Sequence, residues 1–426
     1  MTNALDHRAV AVTGIGCITP CGNNVEEAWR SLVSGISGIA EIQSFDTSEF
    51  DVHVAGEVKG FDPTAYGIGA KEARRLDAFV LFSVAAAKEA VERSRLLERL
   101  SDPERVGVIV GTGIGAIRSI ELEMDVLRKK GPSRVSPLLV PKGTPEVASN
   151  EIALLYGFKG PSGAVSTACS SGSDAIVAAV RCLRDGSADV MVAGGAEAPV
   201  SELSLATFAN LKALSRAQGD ATKVCRPFDK NRSGFVLAEG AGVLVLETLE
   251  HALGRGAEVL AILAGFGQTT DAYHKTAPDP SGEGAARAMR QALRSAGLRA
   301  EDIDYVNAHG TSTPQNDPME TLAIKKALGE HARKVPVSST KSMTGHMIAA
   351  AGAFEAIVAV QTIRTGTIPP TINYETPDPE CDLFYVPNEA IRREVRHVIS
   401  NSFGFGGHNS SLLFSARGGV TGPRAL

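Results

Sequence analysis

The sequence predicts an α/β fold in which short apolar strands alternate with helices around a largely buried sheet. Three observations carry that prediction. Apolar runs of strand length meet glycines at Ala9–Val12 (ending in Gly14-Ile-Gly16), at Val106–Val110 (ending in Gly111-Thr-Gly-Ile-Gly115) and at 188–195, with a further run over Gly242–Glu247. Helical periodicity occupies the intervals, over Val25–Val33 and over the Ala-rich stretch from Arg74 to Arg95. Lastly, residues 175–186 echo residues 356–366, and each stretch follows a Ser-Thr pair (Ser166-Thr167 and Ser339-Thr340) and a glycine-containing loop. Two Ala/Ile/Val helices can resemble each other by chance, but the shared loop-then-helix order favours a duplicated α/β unit.

A chain of 426 residues exceeds the roughly 250–300 residues at which single cores stop growing. The glycines of Leu253-Gly-Arg-Gly256 divide it into halves, 1–256 and 257–416, and the glycine- and proline-containing end, 417–426, reads as a disordered tail. Composition then excludes several function classes. The formal net charge of −5 argues against a nucleic-acid binder, while leaving room for a local basic patch. Cys17, Cys21, Cys169, Cys182, Cys225 and Cys381 form no C-x-x-C pair, so neither a metal site nor a disulfide framework is expected and the chain reads as reduced. Neither G-x-G-x-x-G nor G-x-x-x-x-G-K-[ST] spacing occurs in the glycine-rich turns, which argues against nucleotide binding. Met1–Arg8 is too polar for a secretory signal, and no run nears the ~18 apolar residues of a membrane span. A cytoplasmic protein without membrane contact is expected.

Three segments concentrate the chemistry: Val165-Ser-Thr-Ala-Cys169-Ser-Ser-Gly172, Asn307-Ala-His309-Gly-Thr-Ser-Thr-Pro314 and Ser339-Thr-Lys341-Ser-Met-Thr-Gly-His346. Cys169 falls at a turn between a strand over Gly163–Ala168 and a helix over Ser173–Leu183, where unpaired N–H groups favour a thiolate. A free cysteine is more often a small buried hydrophobe, the reading given to Cys17, Cys182, Cys225 and Cys381. His309 follows a strand over Ile303–Asn307. His346 follows one over Val335–Ser339 and opens a helix over Met347–Ile363. Imidazoles so placed stay neutral and donate hydrogen bonds to a developing oxyanion. The other seven histidines, His7, His53, His251 and His331 among them, read as structural. Lys341 is compatible with tuning the local field and equally with a solvated surface. Asn401-Ser-Phe-Gly-Phe-Gly-Gly407 reads as a loop whose N–H groups can form an oxyanion hole and whose Phe403 or Phe405 can gate an apolar pocket.

Together with Asp189-Val-Met-Val-Ala-Gly-Gly-Ala-Glu197, these segments resemble the elongating β-ketoacyl-[acyl carrier protein] synthases, the synthase II branch most closely, from about Ala9 to Phe414. The resemblance implies a thiolase-like duplicated αβαβα five-layer sandwich acting as a homodimer on an acyl carrier protein, with no cofactor beyond the carrier's phosphopantetheine. It implies that Cys169 takes the acyl chain, that the N–H groups of Cys169 and Phe403 hold the thioester oxyanion, and that His309 and His346 stabilise the enolate from malonyl decarboxylation. Lys341, Glu355 and Asp317 match supporting positions. Thr311 and Thr313 match positions binding the phosphopantetheine arm. Ile114 and Phe208 match the acyl pocket, Phe403 the gate, and Lys71, Arg74, Arg75, Arg134 and Lys212 the carrier-docking face. Gln315-Asn316, Ala349 and His408 depart from the family pattern at the site entrance. Rival readings are a type II polyketide ketosynthase, a non-catalytic chain-length subunit (against which Cys169 speaks) and a thiolase, which would want a second cysteine in the 403–407 loop.

Overall fold

The computed structural model describes residues 9–418; the readings of Met1–Arg8, of His7 and of the tail beyond residue 418 lie outside the described residues. One ten-stranded sheet organises them. Its strands are β1 (Val10–Ile18), β2 (Val106–Gly111), β3 (Ser162–Val165), β4 (Val190–Glu197), β5 (Gly240–Thr248), β6 (Ala261–Thr270), β7 (Tyr305–Asn307), β8 (Val337–Ser338), β9 (His397–Gly404) and β10 (His408–Ser415). They lie in the order β8-β7-β9-β10-β6-β1-β5-β4-β2-β3.

That order contains one pattern twice. In the first half β1 pairs antiparallel with β5, β5 antiparallel with β4, and β4, β2 and β3 run parallel. In the second half β6 pairs antiparallel with β10, β10 antiparallel with β9, and β9, β7 and β8 run parallel. Antiparallel pairing of Val10–Val12 with Ala261–Leu263 joins the halves.

Helices α1 (Ala78–Ser94), α2 (Ser171–Arg184), α3 (Glu283–Ala296), α4 (Asn316–Leu328) and α5 (Ala349–Thr365) complete the layers. α2 and α5 pack on each other, and α5 also touches strands of both halves. α1 covers the opposite face of the first half, while α3 and α4 cover the second. The result is the five-layered α-β-α-β-α arrangement. α5 is buried from Ala349 through Thr362, so its Phe354, Ile357, Val358 and Val360 face protein all round. Full burial of such a side chain stabilises the fold by about 1.5–3 kcal/mol.

The helix at Val25–Val33 has the predicted bounds, with the Asn24 side chain accepting the Glu27 N–H. Two other boundaries differ from expectation. β1 does not end at Gly14; it continues to Ile18, because a Cβ at Gly14 or Gly16 would lie 2.1 Å from the carbonyl oxygen of Ala90 or Ala86. These glycines admit α1 against the strand rather than stopping it. The helix expected from Arg74 starts at Ala78, capped by Asp77, and a separate helical turn covers Ala70–Ala73. Among the described residues no helix is long and apolar enough to cross a membrane.

Candidate active site

Cys169 sits between β3 and α2 in a single 3-10 turn, Ala168–Ser170. Ala168 has φ +53°, a left-handed conformation costly for a residue with a Cβ. Hydrogen bonds hold it: the Thr167 N–H donates to Ser171 Oγ (2.9 Å), and that hydroxyl donates to Ala168 O (2.6 Å). Gly404 of β9 lies against this turn, where any Cβ would come within 2.6 Å of Thr167 O. Backbone groups of both halves thus meet at the cysteine.

The thiol borders a mostly apolar cavity of about 470 Å³. Burial pushes it up to about 11, against the lowering effects of the Phe405 N–H and of Lys341. The thiolate expected from the helix N-terminus is therefore outweighed by desolvation of the buried thiol.

His309 and His346 reach the same cavity. Their rings lie 5.3 Å apart at 87°, and Phe403 and Phe235 flank them at 5.7 Å and 5.3 Å. Burial foremost, then the Lys341 charge, holds both imidazoles well below 6.5, so they are neutral near pH 7. The sequence reading reached neutrality through a helix terminus; desolvation is the larger cause. Among the described residues, His309 Nδ1 and both ring nitrogens of His346 have no hydrogen-bond partner. His346 does not sit at a simple strand-to-helix turn. The strand before it shortens to Val337–Ser338, a helical turn covers Lys341–Thr344, and α5 begins only at Ala349. Its backbone N–H donates to Val236 O at 2.7 Å.

Lys341 is not a solvated lysine: it is 1% exposed and ion-paired with the equally buried Glu355. Burial pushes Glu355 up to about 7 despite that partner. Asp317 is fully buried and accepts the Phe228 N–H at 2.8 Å, with Arg232 4.0 Å away.

Two carboxylates escaped the sequence reading as functional groups. Glu320 of α4 accepts the N–H groups of His309 (2.8 Å) and Gly310 (2.7 Å), fixing the backbone that carries the imidazole. Burial pushes it up to about 7. Its signal was present as a second acidic residue one helical turn after Asp317, close behind the histidine loop. Glu197, at the end of β4, accepts the N–H groups of Gly113 (2.6 Å), Ile114 (3.1 Å) and Gly115 (3.1 Å), pinning a glycine loop that lines the cavity.

Ile114, Phe208, Thr311, Thr313, Lys212, Phe403 and Phe405 all line the cavity, and the two threonine hydroxyls are 3.0 Å apart. One assignment changes. Residues 401–404 belong to strand β9, and only 405–407 form a turn. Phe403, paired in register with Asn409, is buried in the core of the second half. The N–H directed at the Cys169 sulfur is that of Phe405, which lies just past the strand and is half-buried. The backbone N–H expected of Phe403 at the sulfur is thus that of Phe405, while the Phe403 ring still lines the cavity 5.7 Å from His309. Lys71, Arg74, Arg75, Arg134 and Lys212 are all exposed, and of these only Lys212 reaches the cavity.

Residues 7–252 match the Beta-ketoacyl synthase, N-terminal domain, and residues 260–375 the Beta-ketoacyl synthase, C-terminal domain. The chain is 47% identical over 410 residues to a 3-oxoacyl-[acyl-carrier-protein] synthase 2 of Synechocystis sp., covering 96% of this chain and 98% of the relative. Among solved structures, the ishigamide ketosynthase/chain length factor superposes with TM-score 0.90 at 37% identity, covering 96% of this chain and 99% of that one. AntDE:AntF, a type II polyketide acyl-carrier protein in complex with its ketosynthase bound to the hexaketide, superposes with TM-score 0.88 at 35% identity, with the same coverage. The chain belongs to the β-ketoacyl synthase family, as a condensing acyltransferase of the synthase 2 type that elongates fatty acids.

Proposed function

We propose that this enzyme joins an acyl group on Cys169 to malonyl-[acyl carrier protein] by decarboxylative Claisen condensation. The Cys169 sulfur attacks the acyl thioester, forming an acyl-enzyme and releasing the carrier thiol with the cysteine's proton. The N–H groups of Cys169 and Phe405 hold the oxyanion of that tetrahedral intermediate. Malonyl-carrier then loses CO2, and the bonding pair passes into a thioester enolate that accepts hydrogen bonds from neutral His309 and His346. The enolate carbon attacks the acyl-enzyme carbonyl, and Cys169 leaves as thiolate and regains a proton. Splitting the reaction over a covalent intermediate replaces one difficult step by two easier ones.

The observation that carries this reading is the convergence of one thiol and two neutral imidazoles on a single apolar cavity. Neutral imidazoles donate to an enolate without protonating its carbon. Lys341, paired with Glu355, keeps positive potential beside the histidines and so disfavours imidazolium. Asp317 and Glu320 brace the loop bearing His309, while Thr311 and Thr313 bind the phosphopantetheine arm and Ile114 and Phe208 border the acyl chain. The exposed Lys71, Arg74, Arg75, Arg134 and Lys212 receive the acidic carrier. The test is incubation with acyl- and malonyl-carrier, measuring CO2 and β-ketoacyl product. No product from the wild type, or an undiminished yield from Cys169→Ala, would reject the assignment.

The working form is a homodimer, with the chain dividing near residue 256. β3 is an edge strand with Ser162 and Ala164 exposed. The helices stacked beside it leave Leu122, Val140 and Leu154 at 69%, 73% and 76% exposure, an apolar face suited to a second copy. Sedimentation equilibrium should give twice the chain mass, and Leu154→Glu should weaken the association. The six unpaired cysteines fit a reducing cytoplasm.

A further inference from the structure

Beneath the nucleophile turn lies a polar network that the mechanism above leaves unused. Asp174, in the first turn of α2, is 8% exposed. Its Oδ2 accepts the hydroxyl of Thr167 at 2.6 Å and that of Ser170 at 3.1 Å, the residues on either side of Ala168-Cys169. The Ser170 hydroxyl also lies within bonding distance of Thr167 O, at 2.8 Å. The other carboxylate oxygen, Oδ1, accepts from the amide Nε2 of Gln268 at 2.5 Å. Gln268 stands on β6, in the second half, and its amide is oriented by Arg181 of α2, whose Nη2 donates to Gln268 Oε1 at 2.5 Å.

We propose that Asp174 and Gln268 are positioning residues for Cys169, a strap that fixes the nucleophile turn of the first half to a strand of the second. The inference rests on the assignment of Cys169 as the nucleophile. A left-handed Ala168 puts the turn under strain, and strained backbone persists only where its surroundings over-determine it. Asp174 supplies that determination from below the turn, as Gly404 does from above. Its two acceptor bonds lock both flanks of the cysteine, and the Gln268 amide fixes the rotation of the carboxylate. The strap has no contact with His309 or His346, so it governs acyl transfer to sulfur and leaves decarboxylation alone.

The test separates the half-reactions in the full-length enzyme. Acyl transfer is read by mass as octanoyl-enzyme formed from octanoyl-loaded carrier, and decarboxylation as CO2 released from malonyl-loaded carrier. Asp174→Ala should slow acylation on the order of 10–100-fold, the cost of misplacing a reacting atom by about an ångström, while CO2 release stays near the wild-type rate. Gln268→Ala should act in the same direction and less strongly. Asp174→Asn, which keeps an acceptor oxygen, should recover much of the loss. Unchanged acylation in Asp174→Ala overturns the inference, and so does an equal fall in both half-reactions, which marks a merely structural role. If Asp174→Ala melts too early to assay, Gln268→Ala decides by the same split. A wild type that forms no octanoyl-enzyme on Cys169 rejects the proposed function instead.

Discussion

The two halves share one topology, yet their matching strand-to-helix junctions carry opposite chemistry. In the first half the chain leaves β3 and enters α2 almost at once, with Cys169 in the single turn between. In the second it leaves β8, adds the helical turn Lys341–Thr344, and reaches α5 only after His346. The extra turn buries a lysine and its glutamate partner behind the imidazoles, whereas the cysteine has backbone N–H groups and the more distant Glu197. A duplicated scaffold thus presents a thiol from one side and two neutral imidazoles from the other. The α2–α5 packing between the two halves brings them to one cavity.

Removing each junction's reacting group tests that division most severely. Cys169→Ala should lower condensation on the order of 10⁴-fold or more while malonyl-carrier still loses CO2; a condensation assay beside CO2 capture reads both. His346→Ala or His309→Ala should do the reverse. Decarboxylation should fall about 10²–10³-fold, the usual cost of losing an oxyanion donor, with acyl-enzyme formation retained by mass. If either histidine variant also failed to acylate, the two sides would not be chemically separate.

The buried pair gives the next effect. Lys341→Ala leaves Glu355 without its partner and should cost about 3–5 kcal/mol of stability, measured by urea unfolding. The corresponding loss of Glu197, whose partners are backbone N–H groups and a hydroxyl, involves no ion pair and sharpens the contrast between halves.

The smallest effect is a pH slope. Glu320 is raised from 4.5 to about 7 in the folded protein, so it binds its proton more tightly folded than unfolded. Its stabilising contribution is full below pH 4.5 and is lost as pH rises to about 7. His309 and His346, depressed well below 6.5, act in the opposite sense, costing stability as pH falls below that value. Glu320→Gln should therefore flatten the decline in unfolding free energy toward pH 7. An unchanged slope would mean that Glu320 titrates alike in both states.

Much of this site was legible before the fold was known. The helices at Val25–Val33 and Ser173–Leu183 follow from local periodicity, and the cysteine and both histidines stand in loops marked by small residues and glycine. Residue type alone left Lys341 open between a field-tuning and a solvated lysine, because its burial depends on what covers both sides of the turn; only the family resemblance placed it beside the histidines. Glu320 was missed because its partners are backbone N–H groups, which leave no mark in a sequence. Phe403 and Phe405 were confused because both flank glycine. Which N–H meets the sulfur depends on where β9 ends against the cysteine turn, a matter of register across the two halves.

By itself the sequence determined the strand and helix menu, the duplication and the three side chains, Cys169, His309 and His346, that meet at one cavity. These depend on residue type and short-range spacing, which the chain states directly. The tertiary structure alone decided that β1 runs through its glycines, that Phe405 faces the thiol, that Lys341 is buried with Glu355, and that Asp174 meets Gln268. Each is a contact between segments far apart in sequence, fixed by packing two similar halves around α2 and α5. Burial also set the charge states at the site, because desolvation depends on everything that surrounds a group.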